Sequence, residues 1–398
     1  MNPIVYAIPV FMASILLEAW LAHRRGVSTY DIPDAITSLQ FGVLSQVSGV
    51  FTRVFTVGVY TLAFEHLRLA TLPADALWVW VMALVVYDFI YYWVHRCGHE
   101  VNAMWAAHQV HHSSEYFNLS TALRQTSTGA FLSWPFYLPM AILGVPPVVF
   151  GAVALIDLLY QYWVHTELVR KLGWVDRVLV TPSNHRVHHG QNDYCLDRNY
   201  GGIFILWDRL FGTFVEERDD EPVIYGIRKP LASYNAVWGN LNVYTDLWQR
   251  SRAAPSWREA LRLWIEPPAG RGVTPPPLDR LKVTRFDTGT RPAVQRYAAL
   301  QYALLVAPAT YFIAVGAQLS ISLQVAGALL IALSVFTIGR LLEERVGARK
   351  IETLRLITLG VLVFAVSSPI VIGASLLAIA ASLVMLTRLG PPIRTQPA

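Results

Sequence analysis

The chain has 398 residues, 54% of them hydrophobic and 15% charged, with a mean hydropathy of +0.40. Soluble domains run at roughly 45–50% apolar and about 25% charged residues, so these figures exclude an ordinary soluble enzyme and, equally, a disordered chain. Two cysteines, Cys97 and Cys195, exclude a disulfide scaffold and any cysteine-rich zinc or iron–sulfur site.

Apolar stretches near the ~20 residues that a bilayer needs follow one another along the chain. The first covers 3–21 and stops at His23-Arg24-Arg25. It is too long and too poor in small-residue cleavage signals for a signal peptide, and reads as an anchor. The second lies within 35–64 and is interrupted by Arg53. The third covers 75–94 and ends in Tyr91-Tyr92-Trp93-Val94-His95. The fourth and fifth, 130–145 and 147–164, form a hairpin turned by Pro146-Pro147, either two crossings or a re-entrant pair. A polar stretch, 166–296, carries Trp207, Trp238, Trp248, Trp257 and Trp264, as suits a domain against lipid headgroups. Within it Pro267-Pro268-Ala269-Gly270 and Pro275-Pro276-Pro277 read as a linker. Four more stretches follow, 297–316, 320–339, 351–367 and 369–387, the last two split by Ser367-Ser368-Pro369.

Lys and Arg are missing between Arg124 and Arg170, between Arg296 and Arg340, and between Arg355 and Arg388. The opposite ends of the same hairpins carry Arg124, Arg170, Lys171, Arg340, Arg345, Arg349 and Lys350. By the positive-inside rule those ends are cytoplasmic, with Arg68 the main exception. The expected fold class is therefore all-α: a polytopic, multi-pass integral membrane protein of about nine transmembrane helices, N-terminus outside and C-terminus inside. The net charge of +5 follows topology and does not argue for nucleic acid. The expected organisation is a chemical part, 1–265, with a cytoplasmic cap at about 166–265, then a linker, 266–296, and a four-helix transmembrane region, 297–398. Terse loops favour a bacterial inner membrane over the endoplasmic reticulum.

Nine of the eleven histidines fall between 95 and 189. They form His95-x-x-x-His99, His108-x-x-His111-His112 and His185-x-x-His188-His189, with His165 alone between the second and third sets. Residues at i, i+3 and i+4 share a helix face, so each set aims two or three imidazoles at one place. The sets begin at, or lie just beyond, predicted cytoplasmic ends, so they can meet in one membrane-proximal layer. Imidazole suits iron, zinc, copper and nickel. Eight or nine ligands are too many for one ion and right for two. Cysteine-free sets argue against structural zinc, although ligand type alone leaves catalytic zinc open. His165 lacks a partner at i+4, so ligand and packing roles both stand for it. His23 and His66 stand alone and read as interfacial side chains.

This arrangement resembles the membrane fatty acid hydroxylase and sterol desaturase superfamily, whose eight-histidine signature all eight clustered positions match. The text around them is closer still to its alkylglycerol monooxygenase branch: Tyr92-Trp93-Val94-His95-Arg96, Glu100 through Gln125, Gln161-Tyr162-Trp163-Val164-His165, Asn184 through Gly190, and Tyr194 through Phe214 with Trp207-Asp208-Arg209. The similarity is strong over about 80–230 and rests on hydropathy elsewhere. It implies two iron ions held by His95, His99, His108, His111, His112, His185, His188 and His189, with His165 as a ninth candidate. It further implies dioxygen as oxidant, a lipid substrate with a long alkyl chain, and ether cleavage to an aldehyde and a glycerol derivative. Tetrahydrobiopterin is the donor implied by the branch. No G-x-G-x-x-G fingerprint for a bound nicotinamide or flavin is present, so electrons come from a diffusible reductant or a partner protein.

Metal-bound imidazoles usually donate their second N–H to a carboxylate, carbonyl or water. Asp88 lies seven residues before His95, and Asp157, Gln161 and His165 form an i, i+4, i+8 ridge. Ionisable groups in a membrane helix mostly face a functional interior, so these line a cavity or support the ligands. Glu100, Asn118 and Asn184 are further candidates, with Glu115, Glu167 and Asp193 beside them. Arg124, Arg198 and Arg209 are suited to a polar lipid head or a pterin edge, though a solvated role is the simpler one. The aromatic runs around Trp78–Trp93 and Tyr160–Trp163 read as interfacial belt and packing. Rival functions are a sterol, carotenoid or fatty acyl hydroxylase or desaturase, and a zinc-dependent membrane hydrolase, which the lack of His-Glu-x-x-His disfavours. A metal transporter would spread its ligands through the mid-bilayer instead.

Overall fold

The computed structural model describes residues 3–366 and 369–390. Ser367 and Ser368 of the expected last turn lie outside the described residues. Helices dominate, and the β contacts among the described residues are isolated bridges, Leu179 with Phe204 and Gly190 with Tyr225.

Helix α1 spans Ile4–Arg24, and α2 spans Ile32–Arg53. The Asp31 carboxylate caps α2 by accepting from the Asp34 N–H, and Pro33 sits in its first turn, where a missing N–H costs nothing. A π-helical turn, Val54–Gly58, joins α2 to α3, Val59–Leu67. Helix α4 spans Leu77–Glu100 and α5 Asn102–His112. Short helices α6 (Leu119–Ala122), α7 (Ala130–Ser133) and α8 (Leu138–Ile142) follow, then α9 (Pro147–Trp163). The polar stretch holds α10 (Pro182–His188), α11 (Leu206–Phe211), α12 (Ala236–Ala253) and α13 (Trp257–Ile265). The C-terminal bundle is α14 (Pro292–Val315), α15 (Ile321–Leu342), α16 (Ala348–Val366) and α17 (Pro369–Arg388).

Among the described residues, five helical runs are long and apolar enough to cross a membrane: α1, the continuous Ile32–Leu67 rod, α4, Pro292–Gln318 and α15. The chain is thus a polytopic integral membrane protein, and its regular elements among the described residues are all helices. Shorter apolar helices cover Ala130–Ile142, Pro147–Trp163 and Ile372–Arg388. The fourth expected span is broken in the middle by a 3-10 turn, Trp134–Tyr137. Pro135 and Pro139 each remove a backbone donor, which explains the break.

The largest apolar core joins α2 to α14 and α15 through Phe41, Val50, Tyr302, Phe312 and Ile338, so the N-terminal part and the C-terminal bundle share it. A second core packs α3, α4, α8 and α9 through Tyr60, Val79, Met140 and Phe150. Buried polar groups tie the C-terminal helices. Arg355 pairs with Glu352 and donates to Gln301; Tyr297 donates to Glu352, and Gln301 to Ser382. Charged and polar residues in these spans thus stitch α14, α16 and α17. At the other end of the chain Glu18 of α1 accepts from Tyr30, from the Leu119 N–H and from Thr166, which follows His165.

Candidate metal centre

Three helices and one helix exit deliver the imidazoles. His95 and His99 stand one turn apart on the buried face at the end of α4. Val101 is extended, with φ −125° and ψ 118°, so α5 turns back at once and sets His108 beside His99. Helix α5 then supplies His111 and His112. Pro182 and a capping box between Thr181 and Asn184 start α10 so that His185 and His188 point inward, with His189 as its C-cap. His165 comes just after α9 ends at Trp163.

The nine imidazoles divide into two groups, each with its potential ligand atoms within 4.8 Å of one another. One holds His95, His99, His108, His112 and His188; the other holds His111, His165, His185 and His189. The groups adjoin, with the His112 and His189 rings stacked at 4.4 Å. In the second group the Nε2 atoms of His165 and His111 are 3.2 Å apart, those of His185 and His165 2.9 Å, and those of His189 and His111 3.1 Å.

Backbone carbonyls decide what those nitrogens can be. Nδ1 of His111 donates to the Arg124 carbonyl at 3.1 Å, and Nδ1 of His165 to the Gln161 carbonyl at 2.8 Å. Nδ1 of His95 donates to Tyr200 at 2.7 Å, and Nδ1 of His188 to Arg198 at 2.8 Å. A carbonyl only accepts, so each Nδ1 carries the proton and each Nε2 of a neutral ring is a bare lone pair. The His111 and His165 lone pairs therefore face each other in a buried site. Nε2 of His99 and of His188 is buried with no hydrogen-bond partner. Lone pairs converging in a buried site repel unless a cation lies among them, and this is the donor set a metal ion takes. Burial lowers the His111 pKa to about 4, and burial, then neighbouring imidazoles, holds His108, His112, His165, His185, His188 and His189 well below the usual range. These rings are ready ligands at neutral pH.

The remaining expected site residues are placed at varying remove. Asp88 touches no imidazole; it accepts from the Ile203 and Phe204 N–H groups and from Trp207 Nε1, and so hangs the loop whose Tyr200 carbonyl orients His95. Asp157 accepts from Gln161 at 2.6 Å, and Gln161 accepts from Tyr91 at 2.6 Å, while the Gln161 backbone carbonyl holds His165. Glu100 pairs with Arg96, and its side chain is 44% exposed. Asn118 caps α6 and donates to the Thr29 carbonyl, and Asn184 belongs to the α10 cap. Glu115 accepts from the Phe286 N–H, and Asp193 pairs with Arg228. Burial pushes the Glu115 and Glu167 carboxyls above the usual range.

Of the arginines, Arg124 is 2% exposed and pairs with Asp34 at 3.0 Å, so it faces no ligand; its part is the carbonyl that His111 uses. Arg209 packs over Phe214, and Arg198 reaches the Gly212 carbonyl. Sequence reasoning missed Asp34 and Asp208. Asp208 accepts from the Tyr200 and Gly201 N–H groups. Asp197 and Asn199, on either side of Arg198, have φ values of 55° and 57°, a left-handed conformation that non-glycine residues adopt reluctantly.

A cavity of about 700 Å³ opens from the histidines. His95, His108, His111 and His165 reach it, and helices α1, α2, α4, α9 and α14 wall it. Asp157 is the one carboxylate and Arg53 the one Lys or Arg along its wall among the described residues.

Residues 80–213 match the family model for fatty acid hydroxylase. The chain is 38% identical to a human alkylglycerol monooxygenase, over 88% of this chain and 80% of that protein. It is 40% identical to the Danio rerio alkylglycerol monooxygenase, over 88% and 79%. A Rhizobium tropici protein, ornithine lipid hydroxylase OlsE, is 30% identical over 34% of this chain and 41% of its own. No solved structure matches at a significant level. The histidine groups lie inside the matched region, and the relatives extend the likeness over most of the chain: it is an oxidoreductase, and it belongs to the alkylglycerol monooxygenase family.

Proposed function

We propose that the protein is a membrane di-iron monooxygenase that cleaves the ether bond of alkylglycerols, releasing a fatty aldehyde and a glycerol derivative. The observation that carries this is the pair of nitrogen-only groups at the head of an apolar cavity. His95, His99, His108, His112 and His188 would hold one iron, and His111, His165, His185 and His189 the other. Iron at these positions would supply dioxygen activation for insertion into an unactivated C–H bond. An apolar cavity of about 700 Å³ is in the range of ligand pockets and suits a long alkyl chain with water excluded. Arg124, Gln161, Arg198 and Tyr200 fix the imidazole tautomers through their carbonyls. Tyr91, Gln161 and Asp157 make the polar corner of the wall beside His95 and His165. Hydroxylation of the carbon next to the ether oxygen gives a hemiacetal, which splits into aldehyde and alcohol. The Lys/Arg pattern supports a histidine layer on the cytoplasmic side, within reach of a soluble donor such as tetrahydrobiopterin or of a partner reductase.

The test is one assay on iron-loaded protein in detergent with an alkylglycerol and tetrahydrobiopterin, with and without dioxygen, reading aldehyde by mass spectrometry. Aldehyde that needs both dioxygen and pterin supports the reading. A hydroxylated or desaturated product from a sterol or acyl lipid, with no aldehyde from the ether lipid, would replace it.

A further inference from the structure

The cavity extends well away from the histidines. Its α2 wall runs from Leu39 to Val57, and there the helix loosens into the π-helical turn Val54–Gly58. Such turns recur at functional sites because they re-aim side chains. Across from it stand Gly129, Ala130, Leu132 and Ser133 at the start of α7. The two walls meet through Phe55 and Phe131, edge to face at 5.5 Å, and both rings are largely exposed, at 41% and 48%. Neither ring lines the cavity, but their neighbours Thr56, Ala130 and Leu132 do, so the exposed phenyl pair lies on the outer side of a seam between the two walls.

Arg53 ends α2 two residues before Phe55. It is exposed, lines the cavity, and has no carboxylate partner among the described residues. A charged side chain within a membrane helix is costly and mostly marks a ligand path. Ser45, Gly49, Thr52 and Thr56 lie on the same helix face by their spacing, and all four line the cavity. A Cβ at Gly49 would meet no atom within 4 Å, so the path is open there.

We propose that lipid substrate enters the cavity sideways from the bilayer, between the π turn of α2 and α7, with Arg53 capturing the oxygen-rich head of a single-chain amphiphile. The head then moves past Thr52 and Gly49 to the histidines, and the alkyl chain trails to the seam. Head-first entry presents the carbon next to the head for oxidation, rather than the far end of the chain. The identity of the substrate rests on the ether-lipid reading above; the entry route does not.

The experiment uses iron-loaded full-length protein in phosphatidylcholine nanodiscs. An alkylglycerol with a photoreactive diazirine at its chain end is cross-linked, and the labelled peptides are mapped by mass spectrometry. Label is expected on residues around Phe55 and Phe131. A Phe55→Cys/Phe131→Cys pair, bridged by a short bifunctional thiosulfonate, is expected to lose label and turnover, with both restored by reductant. Each single-cysteine variant, treated alike, controls for Cys97 and Cys195. Arg53→Gln is expected to raise KM about tenfold, the loss of one charge-assisted hydrogen bond, with kcat little changed and Arg53→Lys intermediate. If the cysteine pair fails to fold, Gly49→Leu fills the open space and is expected to cut labelling while leaving bound iron intact. Label that the bridge and Gly49→Leu leave unchanged, or that maps to the 166–265 cap instead, overturns the route. Bridge-sensitive label without aldehyde from the wild type overturns ether cleavage and leaves the route standing.

Discussion

An imidazole whose Nδ1 is committed to a carbonyl has one task left for Nε2, and that sorts the histidines into two independent tests. His188→Ala removes a proposed ligand from the group of five, and His111→Ala one from the group of four. Each variant is expected to lose about half the bound iron and all turnover, since removal of ligand support commonly costs 10–100-fold in metal affinity or activity. Metal-to-protein ratios by elemental analysis decide it; full iron in both variants would dissolve the ligand assignment. The same scale holds a residue that no motif contains. Asp34 is the charge partner of buried Arg124, and it also accepts from Ser114 at 2.6 Å. Asp34→Ala leaves a guanidinium buried and unpaired, which costs about 3–5 kcal/mol. It also frees the Arg124 carbonyl that orients His111. A fall in melting temperature together with weaker iron retention is expected, and Asp34→Asn, which keeps an acceptor, should recover part of both. Stability loss with iron retention unchanged would separate Arg124 from the metal layer.

At the scale of elements, the loop from Arg198 to Phe204 does the most for its length. Its carbonyls at Arg198 and Tyr200 hold His188 and His95, and it hangs from Asp88 of α4 and Asp208 of α11. Gly202 lets it approach: a Cβ there would lie 2.7 Å from an Asp88 oxygen and 2.8 Å from an Asp157 oxygen. Gly202→Ala must therefore displace the loop, at a cost of about 1–3 kcal/mol for an overpacked site. The expected result is poorer iron binding by the group of five with helix content by circular dichroism unchanged; normal iron content would show that the loop gives way without moving His95. This loop marks the limit of what the sequence could say. Helical spacing alone exposed the three histidine sets, because i, i+3 and i+4 positions must share a face. Their supports are mostly backbone carbonyls, which every residue carries, so nothing in the sequence singles out Arg124, Gln161, Arg198 or Tyr200 for that role. Asp88 was legible as a polar residue on the right face of α4, but its actual partner is a loop more than a hundred positions away. The broken 130–145 stretch was legible too, in Pro135 and Pro139, where hydropathy outweighed the missing donors.

For the whole molecule, the histidine layer and the C-terminal bundle are expected to respond differently to pH. All eleven histidines precede residue 190, so α14–α17 contain none. In the layer, burial keeps His111 neutral down to about pH 4 and holds its buried neighbours outside α4 neutral in the same direction. An unfolded histidine titrates near 6.5. Below about pH 6.5 the unfolded chain therefore takes up protons that the folded layer refuses, and unfolding gains free energy with every further step toward pH 4. The contribution is fully present above that window and is lost on descending through it. Metal held at the proposed sites would sharpen the effect, since protons would compete with it for the same Nε2 atoms. For chelated protein the expected outcome is a melting temperature that falls steadily from about pH 6.5 to about pH 4. Deuterium exchange should rise first in α5 and α10, while α14 and α15, held to α2 by an apolar core, keep their protection. A melting temperature flat across that range would mean that the imidazoles are not held neutral by burial. Exchange rising equally in α14 and α15 would mean instead that the shared core transmits the loss to the whole bundle.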